Sequence, residues 1–241
     1  MATLRVFLFG TLELRRDGEV LPKPPTQKSQ SLLAYLITHR ALRHPRHKLM
    51  GLFWGDRPER KARRSLATAL WHIRRSLSTN APDAPEYILT EGDTVCFNVE
   101  TDYWLDVEEF ESKMQDARCR MQDARCRMQE AGGKGRADAS CLLLLASCVR
   151  LYRGDFLAGF YDDWCISERY RLEALFLEAL GWLIEAHQAR GEYEAALTYA
   201  QRLLRHDPLR EDVHRQVMRL YVRLGQPLAA LQQFYRCQAI L

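Results

Sequence analysis

Hydrophobic positions in the first hundred residues change period twice. Leu4, Val6 and Leu8 alternate with Arg5, Phe7 and Phe9 until Gly10 stops the run, and Leu12 and Leu14 resume it. Arg16-Asp17-Gly18-Glu19 reads as a turn and Val20-Leu21 as a return, so residues 4–21 predict a small antiparallel meander. Pro22, Pro24 and Pro25 end it. From Thr26 to Thr38 the period becomes helical, with Leu32, Leu33, Leu36 and Ile37 on one face. Pro45 opens a second helix over Arg46–Phe53, ended near Gly55. A third helix runs from about Pro58 to Leu77, its stripe formed by Ala62, Leu66, Ala69, Leu70, Ile73 and Leu77. After Asn80–Pro85, alternation returns: Tyr87–Thr90 and Thr94–Val99 flank Glu91-Gly92-Asp93 as a hairpin. This order of strands, helix, helix, long helix and hairpin predicts a winged helix preceded by a small sheet.

The pattern changes character after Val99. Tyr103–Met114 predicts a helix, and then Met114–Arg120 is repeated literally as Met121–Arg127, with a third copy beginning at Met128-Gln129. A seven-residue insertion adds two helical turns nearly in phase. Two heptads fall short of the three or four of a coiled coil, so a lengthened surface helix is expected. Ala131–Gly135 reads as a loop, and everything from Ser140 onward as helical. A second repeat has a period of 34: Gly191 matches Gly225, Ala195-Ala196-Leu197 match Ala229-Ala230-Leu231, and Pro208 falls between helices. That is the tetratricopeptide period, with 140–182 expected to supply a first unit. The predicted class is mainly α with a small β part: an α+β winged helix over 1–100, then an all-α tetratricopeptide-like domain over 101–241. The apolar run ending at Leu241 carries no stop signal, which points to further chain or to a packing partner.

Charge sharpens this division. The 241 residues carry a net +4, with 47% hydrophobic and 27% charged residues, an ordinary globular balance. Residues 1–80 hold 16 Lys and Arg against 5 Asp and Glu, a net +11, which leaves the rest at −7. The first half therefore seeks a polyanion. Double-stranded DNA fits better than a membrane, because the basic helix carries a stripe suited to a protein core. The apolar start Leu4–Phe9 is too short for a secretory signal and Cys141–Ala146 too short to span a bilayer. The seven cysteines form no Cys-x-x-Cys pair, which argues for a reducing, cytoplasmic location and against zinc or disulfides.

On a wheel of the third helix, Arg60, Lys61, Arg64, Thr68, Trp71, His72 and Arg75 face away from the core stripe, with Arg63 and Arg74 on a flank. A helix fits the major groove. Arg there donates to guanine O6 and N7, Thr bonds a base or phosphate, and flanking cations neutralise phosphates. Arg43, His44, Arg46, His47 and Lys48 offer phosphate or protein contacts without metal-cage spacing, and Trp54 reads as core. Asp162-Asp163 reads as a helix cap. Neither a nucleotide-binding glycine signature nor a nucleophile elbow occurs, so no catalytic site and no cofactor are expected.

Leu4–Pro22, Lys28–Arg40 and Arg63–Leu77 resemble the SARP-type bacterial activators, whose N-terminal domain is an OmpR-like winged helix. Leu151–Leu175 and Leu203–Phe234 look like the bacterial transcriptional activation domain. The resemblance implies promoter activation, side-by-side dimers on direct repeats and contact with RNA polymerase. It maps the recognition helix onto Arg60–Leu77, with Thr68 and Arg75 at DNA-facing positions; Trp71 and His72 depart from the small or Arg residues expected there. The acidic wing tip at Glu91-Gly92-Asp93 shifts the expected wing contacts to Tyr87 and Thr90. The alternative is a protein-interaction adaptor, in which the helical domain binds a partner and the winged helix reads no DNA.

Overall fold

The computed structural model of the chain describes residues 3–78, 85–131 and 139–240, with side chains omitted for 123–131. The expected loops at 80–85 and 131–135 therefore fall largely outside the described residues. Two compact units emerge, interleaved along the chain: Met1–Glu108 with Gly154–Arg169, and Glu109–Arg153 with Tyr170–Leu241.

The first unit begins with β1 (Leu4–Phe7), β2 (Glu13–Arg16) and β3 (Glu19–Val20). Asp17 and Gly18 both take positive φ, 51° and 87°, the backbone of a two-residue hairpin turn whose twist suits its strands. Then come α1 (Gln27–Thr38), β4 (His44–Pro45), α2 (Arg46–Trp54) and α3 (Glu59–Leu77). Thr26 caps α1, its hydroxyl accepting from the Ser29 amide at 3.2 Å. Strands β5 (Ile88–Glu91) and β6 (Thr94–Phe97) form the hairpin, and β4 joins β6 in a three-stranded sheet. Leu32, Leu36, Phe53, Leu66, Leu70 and Ile73 are buried in the core of this winged helix.

Two expectations are corrected here. Tyr103–Met114 is not wholly helical: Tyr103–Leu105 forms β7, parallel to β1 in a sheet ordered β3-β2-β1-β7, and α4 (Asp106–Ala131) starts only at Asp106. The Asp106 carboxylate accepts from the backbone amides of Leu8 (2.9 Å), Phe9 (3.0 Å) and Val107 (2.9 Å) in a fully buried position, and so fixes the switch from strand to helix. Nor is the chain after Ser140 continuously helical. Between α5 (Ala139–Leu151) and α6 (Asp163–Arg190) it pairs with the first unit. Leu157 donates to Leu8 O and Ala158 to Gly10 O, both at 2.8 Å, with Phe156 bridging Phe9. Positive φ at Leu157 and Gly159 bends this loop, and the Arg169 guanidinium braces it by donating to three of its carbonyls at 2.9 Å. Asp162 receives the Ser31 hydroxyl at 2.6 Å.

The described secondary-structure elements of the second unit are all helices, joined by short turns. Glu111 pairs with Arg171 and, one heptad on, Arg118 pairs with Glu178, with Phe110, Met114 and Ala117 buried along the same stretch of α4. Tyr152 stacks on Phe176 at 4.1 Å between ring centroids, and Arg202 lies over Phe176 while donating to Val149 and Tyr152 carbonyls. The 34-residue period has a backbone counterpart. Helices α7 (Tyr193–His206) and α9 (Pro227–Ile240) have 14 residues each at that offset, with α8 (Glu211–Arg223) between them. Gly191 and Gly225, at φ 77° and 70°, sit at the equivalent turns, where only a left-handed residue lets one helix end and the next begin. Between α8 and α9 the buried Gln233 amide donates to His214 Nδ1 at 2.6 Å, and His214 Nε2 to Pro208 O at 2.9 Å.

Candidate nucleic-acid interface

Helix α3 carries the greatest contrast between faces in the first unit. Ala62, Leu66, Ala69, Leu70, Ile73 and Leu77 are buried; Arg60, Lys61, Arg64, Thr68, Trp71 and Arg75 are exposed, and His72 is half-buried. The hydrophobic stripe thus anchors the helix and leaves its cations outward. Glu59 is its lone acidic residue and is taken by Arg63 at 3.1 Å. Trp71 is 53% exposed, under the Arg75 guanidinium at 5.3 Å and against the His72 ring at 5.0 Å. The indole thereby restrains the Arg75 fork outside the core. The Thr68 hydroxyl donates to the Arg64 carbonyl at 3.0 Å and keeps its lone pairs for an incoming donor.

Beside this face runs a groove of about 440 Å³ that includes Lys61, Arg64, Thr68 and His72. Thr26 and Lys28 at the start of α1 and Arg57 before α3 also line it. Sequence reasoning passed over these three because they lie on other segments. A lone charged side chain, at the first turn of an otherwise uncharged helix, was the available signal at Lys28. Arg57 donates to Ser65 at 3.1 Å, which holds its charge against α3.

The wing differs from expectation at Tyr87. It is 2% exposed, stacked on Phe97 and covered by the Arg16 guanidinium at 5.4 Å, so it belongs to the core and is withdrawn from the contact surface. Its hydroxyl has no hydrogen-bond partner among the described residues. Tyr87→Phe is accordingly expected to leave the melting temperature unchanged or raised and any DNA affinity unaltered. A fall in affinity at constant stability would return Tyr87 to the interface. Thr90 is exposed, its hydroxyl accepting from Arg74 at 2.7 Å; Arg74 also donates to the Ile88 carbonyl and so ties α3 to the wing. The acidic tip is offset by Arg43, which pairs with Glu91. His44 is 6% exposed, and burial pushes its pKa down, so it is no cationic phosphate contact near neutral pH. Burial likewise drives the Cys148 and Cys165 thiols up to about 12 and about 11, which removes them as nucleophiles. Among the described residues no cluster of His, Cys, Asp and Glu is placed to hold a metal, and no helix is long and apolar enough to cross a membrane.

Comparison with known proteins bears on this geometry. Residues 105–241 match the protein family described as the bacterial transcriptional activator domain. The chain is 24% identical over 237 residues to the transcriptional regulatory protein MoaR1 of Mycobacterium tuberculosis, across 97% of this chain and 71% of that protein. The same figures hold for MoaR1 of Mycobacterium bovis. Among solved structures, Mycobacterium tuberculosis EmbR in complex with a low-affinity phosphopeptide matches with a TM-score of 0.76 at 20% identity. That match covers all of this chain and 60% of the EmbR chain, and it shows a common fold.

Proposed function

The chain belongs to the bacterial transcriptional activator domain family, and from that premise we propose that it is a sequence-specific DNA-binding regulator that activates promoters. Helix α3 enters the major groove and its Arg64 and Arg75 read base edges, with Thr68, Trp71 and His72 between them. Arg60, Lys61, Lys28 and Arg57 hold phosphates, and Thr90 meets the backbone from the wing. The protein works in the cytoplasm, without cofactor or catalysis, as a dimer on direct repeats, and its helical half contacts RNA polymerase. The observation that carries this reading is one exposed helix face of cations with its single carboxylate already paired.

Fluorescence anisotropy on genomic promoter fragments across a salt series tests it. Affinity falls steeply with salt if phosphates are held. Lys61, with no ion-pair partner among the described residues, is the cleanest probe. Lys61→Ala should weaken binding to all sequences alike and reduce the slope of log K against log salt by about 1. Flat salt dependence in the wild type would favour the adaptor reading instead.

A further inference from the structure

The helical unit contains a groove of about 440 Å³ with Ala174, Glu178, Gly181 and Glu185 along one face of α6. Its other wall comes from Leu203 on α7 and from Arg210, Asp212 and Val213 at the start of α8. At 1.5 Å per residue, the α6 side is about 16 Å long. We propose that this groove is a docking site for a cationic peptide segment of a partner protein.

Gly181 is the first ground. It lies in the interior of a 28-residue helix, where glycine is the most destabilising choice short of proline. Neither a left-handed backbone nor crowding calls for it, since a Cβ built there meets no described atom within 4 Å. No described side chain comes within 4 Å of the space, whereas an occupant whose backbone approaches α6 would use it. Charge is the second ground. Three carboxylates line the groove against one guanidinium. Asp212 already holds Arg210 through two hydrogen bonds of 2.8 and 2.9 Å, and Arg118 takes Glu178. Glu185, one heptad beyond Glu178, is exposed and has no partner among the described residues. It offers a site for Lys or Arg, and the neighbouring half-buried Trp182 offers a ring for the cation to lie on. Length decides the class of occupant: an open trough about 16 Å long suits a peptide better than a compact ligand.

The test pans the full-length chain against displayed random peptides of about 15 residues, long enough to fill the trough. Enriched peptides should be net positive. Glu185→Lys and Gly181→Leu should each weaken an enriched peptide about tenfold or more in anisotropy. Because a Cβ at this position meets no described atom, Gly181→Ala should raise the melting temperature by about 2–4 °C. Lack of enrichment, neutral or acidic peptides, or unchanged binding to Gly181→Leu would overturn the proposal. So would a lower melting temperature for Gly181→Ala, which would mean that the chain's own packing fills the space. No arm involves DNA, so the outcome is independent of the proposed promoter binding.

Discussion

Replacing Arg64 and Arg75 together by Ala is expected to abolish selective promoter binding while the protein stays folded. Each lost bidentate base contact costs about 1–3 kcal/mol. The pair should therefore raise the dissociation constant by about 30-fold at the least, since 1.4 kcal/mol is tenfold. Both side chains are exposed, and neither holds another element in place, so the thermal midpoint should not move. The two positions differ in kind. Arg75 is preset over Trp71, whereas Arg64 opens on the groove shared with α1. Trp71→Ala should thus reproduce part of the Arg75 loss through lost restraint. Anisotropy on specific and scrambled fragments separates the arms. Equal affinity of the double variant and the wild type would remove α3 from the role of reader.

The second large effect concerns stability. Asp106→Ala leaves the buried amides of Leu8, Phe9 and Val107 without their acceptor. An unsatisfied buried donor costs about 1–3 kcal/mol, and incomplete relaxation of three suggests a loss of about 3–5 kcal/mol. At about 2–4 °C per kcal/mol for a chain of this size, the midpoint should fall by roughly 6–20 °C. Asp106→Asn keeps one carbonyl oxygen and should lose less. Differential scanning calorimetry decides, and an Ala variant melting within about 2 °C of wild type would show that water replaces the carboxylate.

Local pattern made most of the winged helix legible. The stripe on α3 is long enough that no strand could satisfy it, and Glu91-Gly92-Asp93 places the hairpin whatever its surroundings. Strand β7 was not legible, because Tyr103-Trp104-Leu105 runs without punctuation into helical spacing and becomes a strand only by pairing with β1, about a hundred residues away. Burial at Tyr87 was hidden for a similar reason. An aromatic residue entering a strand shows no preference of face until Phe97 and Arg16 cover it. On α3 the exposed set followed from the wheel alone, since periodicity fixes faces within one helix. Lys28 and Arg57 needed the packing of α1 and α3 that brings them to the same groove.

The loop between α5 and α6 has a consequence for how such proteins can be recombined. Phe156 and Leu157 are fully buried in the first unit although they lie within the stretch that matches the activator-domain family. A clone that stops at residue 108 omits sixteen residues of the same compact unit, the stretch Gly154–Arg169 with its buried Phe156, Leu157 and Phe160, and should be insoluble where one retaining them is not. The same arithmetic applies to natural exchange. A crossover between residues 108 and 154 gives the first unit a segment from the other parent in place of Phe156 and Leu157, so the chimera should fold only where that segment still fits Leu8 and Phe9. Exchange of one half alone thus carries a folding cost that exchange of the whole stretch does not.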